Sequence, residues 1–119
     1  MVWTTEFSEA AEHDFELIFD HLFQSYVQFG EQPASAFAKA TERLEAIRTT
    51  ASAISKAPYR GTLRDAIAPG LRQVTIDRAV FWFDLDETRR KVRILAIFFG
   101  GQDHIRHMLA RLLKGDPSA

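Results

Sequence analysis

The sequence predicts an α+β domain: a twisted antiparallel sheet carrying an N-terminal helical hairpin and closed by a short C-terminal helix, in the order β-α-α-β-β-β-α. Three observations predict it. Apolar residues recur at three- and four-residue steps through two long stretches of the first half. In the second half that period gives way to short β-branched and aromatic runs separated by polar turns. Helical spacing returns once, after Gly100-Gly101.

The elements follow in order. Val2-Trp3-Thr4-Thr5-Glu6-Phe7 reads as a first strand, and Ser8 as the N-cap of a helix whose positive first turn holds Glu9 and Glu12. Ala11, Phe15, Ile18, Leu22, Tyr26 and Phe29 share one arc of that helix, and Gly30 ends it. Phe19, Phe23 and Val27 form a second stripe, wider than one core face requires, and so a candidate partner surface. Pro33 suits the first turn of a second helix, whose seam runs Phe37, Ala40, Leu44, Ile47, Ala51, Ile54. The short link between the two helices makes them an antiparallel hairpin. After Pro58-Tyr59-Arg60-Gly61 a loop with three nearby cations, Arg60, Arg64 and Arg72, reaches Pro69-Gly70. Leu71 to Ile76, Ala79 to Leu85 and Lys91 to Phe99 then read as a meander, turned at Asp77-Arg78 and at 86–90. Val80-Phe81-Trp82-Phe83 is apolar on both faces, so its strand is expected to be central and covered on both sides. Ile105, Met108, Leu109 and Leu112 give the last helix its apolar face, and His104, His107, Arg111 and Lys114 the opposite one. Residues 1–115 read as a single domain and 116–119 as a disordered tail.

Composition narrows the function. The chain has 119 residues, 46% hydrophobic and 26% charged, with ten phenylalanines and no cysteine. A chain of this size buries about two-thirds of its extended surface on folding, enough for a core without staples. The lack of cysteine removes disulfides, thiolate metal sites and a cysteine nucleophile. The longest apolar run, Ile94 to Phe99, is far below the ~20 residues of a membrane span, and no basic-then-apolar leader opens the chain, so a cytoplasmic protein is expected. Charge is unevenly spread: residues 1–58 carry nine acids against four bases, and residues 59–119 seven against eleven. A basic second half suits a polyanion or an acidic peptide.

Few chemistries survive. His104-x-x-His107 beside Asp103 offers two imidazoles to a metal but has no third ligand at a diagnostic spacing, so no metal or other cofactor is expected. No Gly-x-Ser-x-Gly elbow and no phosphate-cradling glycine loop is present. Metal-free RNA cleavage needs a base, an acid and a cation for the charged phosphorane. His104 or His107 supplies the first two, and Arg60, Arg72, Arg106 or Arg111 the third.

The ordered set Pro58-Tyr59-Arg60-Gly61, Pro69-Gly70-Leu71-Arg72, the aromatic central strand and Ile94-Leu95-Ala96-Ile97-Phe98-Phe99-Gly100-Gly101-Gln102-Asp103 resembles the RelE/ParE superfamily of bacterial type II toxins. The likeness spans nearly the whole chain. It implies a toxin involved in growth arrest and plasmid or chromosome stabilisation, held in check by a cognate antitoxin in a hetero-oligomer. RelE-like members cut mRNA in the ribosome; ParE-like members act on DNA gyrase without a nuclease site. Arg72 matches an arginine often found on the first meander strand. Where the nucleases place an arginine and then a tyrosine after the last strand, this chain has Gln102 and His107 or Met108. Its pI near 6.4 also departs from their basic character. The resemblance therefore implies the ParE-like side, with gyrase as the type of target and no catalysis. The alternatives are a ribosome-dependent endoribonuclease using Arg60, Arg72, His104, Arg106 and His107, or a degenerate toxin that only binds its antitoxin. Candidate contacts to target or antitoxin are Phe19, Phe23, Val27, Arg60, Arg64, Arg72, Arg93 and Arg111.

Overall fold

The structure, a computed structural model, describes residues 2–100 and 103–114. Its elements are β1 (Thr4–Phe7), α1 (Glu9–Gln28), α2 (Pro33–Ala53) with a terminal 3-10 turn (Ile54–Lys56), β2 (Thr62–Leu63), β3 (Arg72–Ile76), β4 (Ala79–Asp86), β5 (Lys91–Phe99) and α3 (His104–Leu113). Gly101, Gln102 and the expected tail lie outside the described residues.

Local chemistry sets the helix ends. The Ser8 hydroxyl accepts from the Ala11 N–H at 3.0 Å, satisfying one orphan donor of α1. At the other end Phe29 is the cap and Gly30 follows it with φ +101°. The Glu31 N–H then donates to the Tyr26 carbonyl and the Gly30 N–H to that of Val27, both at 3.0 Å. Phe29 thus leaves the predicted arc: it is 88% exposed, beyond the last core contact of α1 at Tyr26. Phe37 also faces outward, and the residue of α2 that packs in its stead is Ala36.

The five strands lie in the order β1-β5-β4-β3-β2. The meander from β2 to β5 is antiparallel, as expected, but β1 pairs with β5 in parallel. A parallel pair needs a crossover of a dozen or more residues, and the chain between β1 and β5, which begins with the helical hairpin, supplies it. The predicted antiparallel sheet is therefore mixed at its β1 edge. The loop after α2 also holds one strand more than expected, the two-residue β2. There the backbone runs so close to β3 that a Cβ on Gly61, at φ +85°, would meet the Gln73 carbonyl oxygen at 2.5 Å.

β4 occupies the middle, and its residues 79–83 are all buried. Ala79, Phe81 and Phe83 pack with Phe15, Ile18, Ile47 and Ile54 under the hairpin, while Val80 and Trp82 pack with Leu95, Phe98 and Met108 under α3. A bulge makes this possible in β5. Trp82 pairs with Ala96 but Phe83 with Ile94, leaving Leu95 as an extra residue. Val92 and Ile94 before it face the hairpin, and so do Ile97 and Phe99 after it.

Candidate functional site

The predicted cations divide among four places. Arg93 is committed to Asp84, its cross-strand neighbour, through two hydrogen bonds of 2.6 and 2.7 Å, which raise the pKa of its guanidinium. Arg72 pairs with Phe83 and so projects toward the hairpin face. There its Nη1 donates to the Tyr59 carbonyl at 2.9 Å and its guanidinium lies over the Tyr59 ring. Arg60 is in the same loop and exposed.

Arg64 belongs to the opposite face. Its Nε donates to Gln73 Oε1 at 3.0 Å, and Gln73 pairs with Trp82, whose ring is covered by α3. His104, the first residue of α3, lies over Trp82 with ring centroids 5.5 Å apart. Burial first, and the Arg64 charge second, push the His104 pKa below its ordinary value; Asp103 pulls the other way. Among the described residues, His104 Nδ1 and Trp82 Nε1 are buried without a hydrogen-bond partner. Asp103 caps α3 by accepting from the Arg106 N–H at 3.2 Å, and Arg106 itself is exposed.

The fourth place is a cleft of about 570 Å³ between α1, the end of β5 and α3. Arg111 reaches into it from α3 and forms a forked pair with Asp14 of α1, with contacts of 2.9 and 3.0 Å. Asp14 is only 3% exposed and also accepts from the Ile97 N–H at 2.9 Å, just past the point where β1 stops pairing with β5. The carboxylate thus satisfies a sheet-edge donor and ties α3 to α1. His107 stacks on Phe98 at 5.6 Å, and His21 and Arg78 complete the polar lining.

The candidate nuclease set is therefore dispersed. Arg60 and Arg72 lie on the hairpin side of the β2–β3 end, His104 lies across the sheet from Arg72, Arg106 is on the outside of α3 and His107 in the cleft. The apolar stripe is partly internal: Phe19 and Phe23 are half-buried against the core, with Phe19 edge-on to Phe37 at 5.3 Å, whereas Val27 is 39% exposed. Phe29 and Phe37 extend its exposed part. Among the described residues, no cluster of three or more metal-ligating side chains occurs, and no helix is long and apolar enough to cross a membrane.

Sequence reading gave no functional role to Asp14, His21, Arg43 or Arg78. Asp14 had a signal, since it falls between Ala11 and Ile18 inside the apolar arc, where a lone carboxylate must find partners. Arg78 had a weaker one, an arginine in the turn position that usually calls for glycine.

No protein-family model and no curated protein sequence matches the chain. Solved structures do. A chain of the toxin–antitoxin complex RelBE2 from Mycobacterium tuberculosis superposes with a TM-score of 0.55 at 15% identity, over 84% of this chain and 100% of that one. A chain of the chromosomal ParDE toxin–antitoxin system from P. aeruginosa does so with a TM-score of 0.54 at 20% identity, over 82% and 96%. The fold is RelE/ParE-like. In that RelE/ParE-like frame, the cleft marks where the last strand leaves the sheet and the C-terminal helix begins.

Proposed function

We propose that this chain is the toxin of a type II toxin–antitoxin pair, a single domain over residues 1–115 that arrests growth in the cytoplasm by binding a protein target such as DNA gyrase. A small cognate antitoxin neutralises it in a hetero-oligomer. The observation that carries the reading is the likeness of fold, over more than four-fifths of this chain and nearly all of each neighbour, to chains of two toxin–antitoxin structures. The dispersal of the cationic set supports binding rather than RNA cleavage. General acid, general base and phosphate clamp must meet around one phosphodiester, and Arg72 and His104 are on opposite faces of the sheet.

The antitoxin contact is assigned to the outer row of the hairpin. Phe37, Phe29 and Val27 present apolar surface next to Phe19 and Phe23, which suits the apolar face of an amphipathic helix. Because Phe23 also packs on the core, Val27→Glu is a cleaner probe than Phe23→Glu.

The test is inducible expression, alone and together with a small protein encoded beside this chain that binds it. Growth arrest relieved by co-expression supports the toxin reading, and purified protein that blocks gyrase supercoiling supports the target. Unimpaired growth with intact antitoxin binding would leave a degenerate toxin. Cleavage of translated mRNA at defined positions, lost on Arg72→Ala with His107→Ala, would replace the binding mechanism by a nuclease.

A further inference from the structure

Several arginines are matched by carboxylates: Arg48 by Glu12, Arg93 by Asp84, Arg111 by Asp14. Arg43 and Arg78 are not. Their guanidinium groups lie 5.4 and 5.8 Å from the centroid of the same ring, Phe99, and among the described residues neither forms an ion pair. Two like charges over one ring make a locally positive surface, although Arg43 also donates to the Asp77 carbonyl at 3.0 Å.

The backbone beneath Arg78 is strained to the same end. Asp77 and Arg78 have φ of +51° and +70°, the left-handed pair of a type I′ hairpin turn, in which Asp-Gly is the favoured sequence. A side chain with a Cβ is held there at a conformational cost that glycine does not carry. The turn forms more easily with glycine, so the arginine is not there for the turn. Arg78 lines the cleft between α1, β5 and α3 together with His21, Gly100, His107 and Arg111; Arg43 lies over the Phe99 ring and does not line the cleft.

The cleft offers an added strand no donor at Ile97, whose N–H is already taken by Asp14. It suits a compact anion with an organic part. Asp14 is spent on Arg111 and Ile97; Arg78, His21 and His107 line the space; and Leu17, 53% exposed, offers an apolar wall. We propose that this cleft binds a phosphate monoester, with Arg78 and His107 on the phosphoryl oxygens and Arg43 adding charge from its place over the Phe99 ring. This inference is independent of the toxin reading.

The test uses the full chain and three probes at constant ionic strength: inorganic phosphate, adenosine 5′-monophosphate and adenosine, with chloride as the reference anion. The expected result is saturable amide shifts at Arg78, Gly100 and His107 with the two phosphates and none with adenosine. Arg78→Gly gives the turn its favoured residue, so it keeps or raises the melting temperature in chloride while weakening phosphate binding about tenfold or more. Arg43→Gln weakens it less, and Arg93→Gln, already neutralised by Asp84, leaves it unchanged. Equal affinity of phosphate and the nucleotide places all recognition in the phosphoryl group; tighter nucleotide binding adds the apolar wall. Absence of saturation, a response to adenosine alone, or an undiminished phosphate response in well-folded Arg78→Gly overturns the proposal.

Discussion

The two faces of the sheet are built differently. The hairpin face is sealed by two helices of 20 and 21 residues, and Arg48 there is both paired and stacked: it forks onto Glu12 while lying over Phe15 at 4.2 Å. The opposite face is covered by the ten-residue α3, which packs through Ile105, Met108 and Leu112 and is tied down by Arg111. There a buried indole nitrogen and a buried imidazole nitrogen lack partners among the described residues. The first face is a foundation. The second is a thin cover over a polar seam, the arrangement expected where a protein must yield to a partner or ligand.

Removing a foundation residue should have the largest effect. Phe15 is 2% exposed, edge-on to Phe7 and beneath Arg48. Phe15→Ala is expected to cost about 3–5 kcal/mol, spread over the whole fold, so that urea unfolding by fluorescence and by circular dichroism shifts together. Asp14→Ala strikes the link between the faces. It leaves the Arg111 guanidinium and the Ile97 N–H without their acceptor, for an expected loss of about 3 kcal/mol. Hydrogen exchange should then quicken in α3 while α2 stays protected. A uniform rise in exchange would mean that α3 is no less anchored than the hairpin. Met108→Ala removes a fully buried side chain from the thin cover. It should cost about 2 kcal/mol, again felt first in α3.

What the sequence made legible follows the same divide. Periodicities of 3.6 and 2 revealed the hairpin, the meander and the two-sided burial of Val80 to Phe83, because each depends on neighbours in sequence. The parallel pairing of β1 with β5 joins residues almost ninety positions apart, Thr4 with Lys91, and no local pattern encodes it. The bulge at Leu95 was hidden for a related reason. Ile94 to Phe99 is apolar throughout, so a one-residue shift of face leaves no mark on the pattern. Site residues were the least legible. Arg72 and His104 are both polar residues beside apolar runs, yet only strand register shows that they lie on opposite sides of the sheet. Arg78 was read as a turn residue, which it is; its place over Phe99 depends on a ring twenty-one residues later.

His104 provides the smallest effect, and one specific to the thin cover. Its imidazole is held below its ordinary pKa by burial against Trp82 and by the charge of Arg64, with Asp103 opposing. The neutral ring is thus the form the fold prefers. Above the unfolded value near 6.5 both states are neutral and the docking of α3 is at full strength. As pH falls below that value, the unfolded chain takes up the proton more readily than the folded one, so stability declines until the folded pKa is passed. Melting temperature and α3 exchange rates measured from pH 7.5 to 5 should therefore show a loss on the acid side that His104→Phe reduces. Since carboxylates elsewhere contribute their own acid dependence, the decisive quantity is the difference between the two proteins. A pH-independent difference would mean that the charge of His104 plays no part in holding α3, and that the cover rests on Met108 and the Arg111–Asp14 pair.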